Sequence, residues 1–147
     1  DDALSGGLAR WEQSDNGLIA LILLLDQFTR NIYRNTAKAF AGDERALSLA
    51  MTCLDRGREA SMPAAHRVFL LMPLEHAEDM ATQERCVAEF ERLGQDTGLE
   101  QVTEFARYAR AHRDVIARFG RFPHRNALLG RESTAAECDH LEKHGGF

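Results

Sequence analysis

The sequence predicts an all-α fold, and three observations carry that prediction. Apolar residues recur at the spacing of one helix face along nearly the whole chain. No segment alternates at period two for long, and only Pro63, Pro73 and Pro123 interrupt the helical pattern. The 147 residues are 44% apolar and 28% charged, a globular mix able to bury one core without disulfide or metal staples. One domain over residues 1–147 is expected, with no linker, low-complexity tract or clean internal repeat.

The elements follow in order. A short first helix is expected from about Leu4 to Trp11. Ser14 or Asp15 caps the next, whose LIALILLLDQF run is apolar on all sides and reads as the central, covered helix. A third covers Asp43 to Arg58, with Ala46, Leu47, Ala50 and Leu54 as its stripe. A fourth starts near Pro63, a residue suited to a first turn, and Pro73 should kink or stop it. A fifth spans about Thr82 to Leu93, closed by Gly94. The sixth spans Glu100 to Phe119, with Val102, Phe105, Ala109, His112, Ile116 and Phe119 inward and Gly120 as its C-terminal cap. RFPHRNALLGRES has no helical period. Thr134 with Glu137 reads as a capping box opening a last helix to about Lys143. Short connections make neighbouring helices antiparallel pairs.

Composition also excludes classes of function. The net charge of −5 argues against nucleic-acid and membrane-surface partners. The longest apolar run, Leu18 to Leu25, is far short of the roughly 20 residues that span a bilayer. No signal-peptide pattern is present. Three scattered cysteines, Cys53, Cys86 and Cys138, form no CxxC pair; each reads as a small buried hydrophobe in a reducing, cytoplasmic compartment. Asp1 in place of Met, with helical spacing already under way at Leu4, leads to the expectation of a preceding segment.

Charge is unevenly spread. Glu75 to Glu104 holds nine acidic residues against Arg85 and Arg92, and Arg107 to Arg131 holds seven arginines against Asp114. These stretches either pair with each other across the surface or gather arginines for an anion.

Three segments are polar where packing alone would want apolar residues. In LDQFTRNIYR, Asp26, Arg30 and Arg34 share one helix face, with Gln27 and Asn31 on the next. In PLEHAEDMATQ, Glu75 and Asp79 repel at i, i+4, and His76 lies beside them. In HRDVIARFGRFPHRN, His112 interrupts an apolar stripe, and Arg121, His124, Arg125 and Asn126 follow in an irregular loop suited to a carboxylate or other anion. Each segment also has a plain reading, as a bridge, a solvated helix end or a hydrogen-bonded core histidine. No P-loop, GxGxxG, GxSxG or HExxH is present. A metal site would have to be assembled from His76, His112, His124 and carboxylates on separate segments, so no metal and no cofactor is expected.

Taken in order with AFAGD, these segments resemble the bacterial family known as domain of unknown function 924, from about Gly7 to Thr134. Thr29 stands where the family pattern has proline, and members usually carry a further N-terminal segment. The resemblance implies a compact superhelix similar to tetratricopeptide-repeat proteins, and no established activity, substrate or cofactor. The positions it marks include Asp26, Gln27, Arg30, Asn31, Arg34, Asp43, Glu75, His76, Glu78, Gln83, His112, Arg113, Phe119, Gly120, Arg121, Pro123, His124, Arg125 and Asn126.

Three functional classes stay open. In the first, Asp26, Arg30, Asn31, Arg34, His124, Arg125 and Asn126 bind a small acidic or phosphorylated molecule, and His76, Glu75 or His112 moves protons. The second is a helical module that binds a protein partner. The third is a structural domain whose polar motifs are internal bridges. If the first holds, Asp26, Arg30 and Asn31 meet His76 or Glu75, and His124 or Arg125, in one pocket.

Overall fold

The computed structural model describes residues 1–146. It is 73% helical, which settles the all-α class, and no strand occurs among the described residues. The α-helices are α1 (Asp15–Leu23), α2 (Thr29–Ile32), α3 (Asp43–Asp55), α4 (Ala64–Glu75), α5 (Met80–Thr97), α6 (Glu100–Phe119) and α7 (Ala135–His144). A π-turn over Leu24–Phe28 joins α1 to α2.

Ser14 starts α1 by accepting from the Gly17 N–H at 3.1 Å. Leu18, Ile19, Leu21, Ile22 and Leu25 are buried, so this helix is central as expected. The cover ends early, because Phe28 is 51% and Ile32 66% exposed. The N-terminal expectation fails in detail: residues 2–6 are turns, and Ala9–Gln13 forms a 3₁₀ helix. Arg45 of α3 pins that segment, donating to the Ala3 and Gly7 carbonyls at 2.6 and 3.1 Å.

The main core is formed by Leu18, Ile19 and Ile22 of α1, Ala50 and Cys53 of α3, Leu70, Leu71 and Leu74 of α4, Cys86, Phe90 and Leu93 of α5, and Val102, Ala106 and Ala109 of α6. Helix α4 passes through Pro73 and stops two residues later at Glu75, with His76 as its C-cap. Helix α5 overturns the expected stop at Gly94. It runs on to Thr97, and Gly98, at φ 64°, closes it. Gly94 instead faces α6, where a Cβ would stand 3.8 Å from Thr103 Oγ1 and 3.9 Å from Val102 Cγ1. Two residues, Gly98 and Leu99, then turn the chain so that α5 and α6 pack as an antiparallel pair.

Helix α6 has the expected bounds, and Gly120 ends it at φ 71°. The capping box of Thr134 and Glu137 opens α7 with both of its bonds formed. Cys53 and Cys86 are buried, but Cys138 is exposed on α7, contrary to its reading as a buried hydrophobe. Among the described residues no helix is long and apolar enough to cross a membrane.

Candidate functional site

The site begins where the first helix departs from α geometry. The π-turn places Asp26, only 1% exposed, beside the ends of α4 and the loop after α6. π-turns widen a helix locally and recur at functional positions. Thr29 donates its hydroxyl to the Leu25 carbonyl at 2.7 Å and the Asp26 carbonyl at 3.2 Å.

Around Asp26 the polar groups close a ring. His76 donates through Nδ1 to Asp26 Oδ1 at 2.6 Å, and Arg30 Nη1 lies 3.1 Å from the same oxygen. Gln27 donates to Asp26 Oδ2 at 2.5 Å. Arg30 also makes a two-pronged bond to Asp43, the first residue of α3, at 2.7 and 2.9 Å. Asp43 Oδ2 is 3.4 Å from Arg125, and Arg125 returns to α4 by donating to the His76 carbonyl at 2.9 Å. The Arg125 guanidinium is 4.7 Å from the ring centres of both Phe40 and Phe122.

Gly42 makes the closure possible. An added Cβ there would collide with the Leu25 backbone carbonyl, so only glycine lets the N-terminus of α3 bring Asp43 to Arg30.

A second carboxylate–imidazole pair adjoins the ring. His112 Nδ1 donates to the Tyr108 carbonyl at 2.9 Å and sits 3.2 Å from Glu75 Oε1. The His76 and His112 ring centres are 6.2 Å apart. Gln83 fixes the turn between them: its buried amide donates to the Glu75 carbonyl at 2.6 Å and the Ala77 carbonyl at 2.8 Å. Among the described residues, a ligand atom from each of Glu75, His76 and His112 lies within 4.8 Å of the others.

Environment separates the titratable groups. Burial pushes the Glu75 carboxyl up to about 7, and the charge of Asp26 adds to the effect. Burial acts on Asp26 in the same sense, but His76, Arg30 and Gln27 outweigh it and hold that carboxyl below its ordinary value. Burial brings His112 down to about 4. Burial, followed by the charge of Arg125, does the same to His124. The centre therefore holds an ionised Asp26, neutral His112 and His124, and a Glu75 near its midpoint at neutral pH.

Of the residues expected at a site, Asp26, Arg30, Glu75, His76, His112, His124 and Arg125 are gathered in this region. Asn31 and Arg34 are not. Both are exposed, with Asn31 donating to the Gln27 carbonyl and Arg34 lying 3.4 Å from Asn31 Oδ1. Asn126 is buried in a neighbouring network, where it donates to Glu137 at 3.3 Å and accepts from Arg131 at 2.9 Å. Arg121 belongs there too, paired with Glu137 at 2.7 and 2.9 Å. The Glu75–Asp79 repulsion does not arise as a helix pair. The helix ends between them, and Asp79 caps α5 by accepting from the Thr82 N–H at 2.8 Å.

Asp43 and Glu78 were missed as site residues. Asp43 reads as a first-turn acid of α3, and its partners come from other segments. Glu78 accepts from Arg131 at 2.7 and 2.9 Å and from the Phe122 N–H at 2.7 Å, locking the loop after α6 onto the α4–α5 turn. The only signal was their place in the family pattern.

A shallow cleft of about 370 Å³ lies elsewhere, lined by Leu4, Leu8, Phe28, Ile32 and Tyr33 among others. It does not touch the ring.

Comparisons with known proteins bear on the fold and the family. The structure of a protein of unknown function, ATU0120 from Agrobacterium tumefaciens, superposes with a TM-score of 0.80 at 40% identity. The match covers 92% of this chain and 73% of that one. No curated protein matches the chain. The family model described as bacterial protein of unknown function (DUF924) matches residues 1–145, and the chain belongs to that family.

Proposed function

We propose that the Asp26–Arg30–His76–Arg125 centre binds a small acidic molecule and that its imidazole–carboxylate pairs move a proton on it. The closed ring carries this reading. It holds His76 between a buried carboxylate on its ring nitrogen and a buried guanidinium on its carbonyl. Asp26 orients the imidazole through Nδ1 and Arg125 holds the backbone that carries it; a fixed imidazole is what proton transfer to a bound ligand requires. Arg30 and Arg125 supply donors for an anion, which would compete with Asp43 for them. His124 and Glu75 lie at the edges of the same region.

Two finer features belong to this proposal. One is a tetratricopeptide-like superhelical arrangement of the helix pairs. The other is a cytoplasmic location, which suits three cysteines without a disulfide.

One observation favours a second reading. Asp43 already pairs with both arginines, as it would in a domain whose motifs are internal bridges.

A thermal-shift screen against carboxylate and phosphate metabolites, run in chelator, separates the two. The ligand reading predicts stabilisation of the wild-type protein by a related set of anions, lost in His76→Gln and Arg125→Met. Stabilisation by none, or equal stabilisation of the variants, leaves the bridge reading.

A further inference from the structure

We propose that Glu75, His76 and His112 form a binding site for one divalent transition-metal ion of the zinc class. The donors come from two elements, the end of α4 and the middle of α6, and their ligand atoms lie within 4.8 Å of one another. Ligands held at about 2.1 Å from one ion sit roughly 3–4 Å apart. Glu75 Oε1 faces the protonated Nδ1 of His112 at 3.2 Å, so closing the site needs the Glu75 side chain to turn Oε2 towards the two Nε2 atoms.

The hydrogen bonds orient both rings for ligation. His76 Nδ1 meets an ionised Asp26, and His112 Nδ1 meets the Tyr108 carbonyl and, at 3.2 Å, Glu75 Oε1. Asp26 and the Tyr108 carbonyl can only accept, so Nδ1 carries the proton in each ring and the lone pair of the neutral imidazole is on Nε2. A carboxylate or carbonyl on the far nitrogen is the arrangement that fixes metal-bound histidines and raises their basicity.

Glu75 supplies an independent observation. Its residue is 6% exposed, and its Oε2 has no hydrogen-bond partner among the described residues. A buried carboxylate oxygen without a donor is costly, and here Asp26 adds a second negative charge. A dication coordinated by Glu75 removes both penalties. Among the described residues no arginine does this, since Arg30 and Arg125 are committed to Asp26, Asp43 and the His76 carbonyl.

Two imidazoles and one carboxylate select among ions. Calcium and magnesium prefer oxygen ligands, whereas imidazole suits zinc, cobalt, nickel and iron. The nearby thiol of Cys86 stays out of the set: burial raises it well above its ordinary value, and it points to the Leu71 carbonyl. Three protein ligands leave at least one position for water or substrate, the form of a catalytic rather than a structural zinc site.

The inference goes beyond the acidic-ligand reading and fails separately from it, because the titration uses metal alone and the ligand screen uses chelator. The chelator-stripped protein is titrated with zinc chloride by calorimetry and with cobalt chloride by visible absorption. The expected result is one ion per chain and the intense bands of four- or five-coordinate cobalt. Glu75→Gln and His76→Gln should each weaken binding at least about 10-fold, and Asp26→Asn about 10–100-fold through His76. His144→Gln, on α7, should bind as the wild type does. Circular dichroism identifies any variant that fails to fold, and the wild-type cobalt spectrum tests the site without a variant. No binding, the faint bands of six-coordinate cobalt, or equal affinity in Glu75→Gln and His76→Gln would overturn the proposal.

Discussion

Asp26 Oδ1 receives two donors at once, His76 Nδ1 at 2.6 Å and Arg30 Nη1 at 3.1 Å, on a side chain that is 1% exposed. One carboxylate oxygen thus ties the π-turn of the first helix to the end of α4. Everything else in the polar centre is arranged around that bond.

Asp26→Ala should therefore be among the most destabilising polar substitutions in the chain. It leaves Arg30 with one carboxylate and His76 with none, in a place water reaches poorly. Breaking a buried charge pair from one side costs about 3–5 kcal/mol. Urea denaturation at pH 7 measures it, and a loss below about 1 kcal/mol would mean the pair is solvated.

Gly42→Ala tests the geometry rather than the charge. The new methyl meets the Leu25 carbonyl, which is backbone and cannot rotate away. The expected cost is about 3 kcal/mol, the upper end for overpacking. Gly57→Ala is the control: its Cβ would meet open space, and only the φ of 62° opposes it. It should cost about 1 kcal/mol. Equal losses in the two variants, read by thermal unfolding, would contradict the close approach of the π-turn and the start of α3.

Helix α6 shows how much of the fold was legible. Its apolar stripe and Gly120 specify both ends, and Thr134 with Glu137 specify the start of α7, because these signals are local. Gly94 misled for a physical reason. A glycine inside a helix and one that closes it look alike locally: α5 runs on through Gly94, where a Cβ would make only ordinary contacts with α6, and Gly98 takes the left-handed closing position. The site follows the same division. Asp26, Arg30, His76 and Arg125 stood out as polar groups in apolar surroundings, whereas Asp43 had the ordinary look of a first-turn acid. Asn31 lies on the exposed side of α2, and Arg34 falls in the turn beyond it, because the helix stops at Ile32.

The buried Glu75 gives a pH dependence of known sign. Its carboxyl titrates at about 7 in the fold against an ordinary 4.5. Between those values the unfolded chain is ionised there and the folded chain keeps its proton. Stability from this group is present below about pH 4.5 and is lost as pH rises through 7, by roughly 3 kcal/mol in all. In chelator, Glu75→Gln should match the wild type near pH 5 and exceed its stability at pH 8. A variant equally less stable at both values would show that Glu75 is held ionised by its surroundings.

The orientation of the two imidazoles underlies both the proton-transfer reading and the metal site, and long-range proton–nitrogen NMR of the histidine side chains measures it directly. In chelator-treated protein at pH 7, the account predicts a proton on Nδ1 of both His76 and His112. It also predicts that His112 stays neutral until the pH falls towards 4. Spectra showing either ring as the Nε2–H tautomer, or averaging between tautomers as in free histidine, would contradict the account.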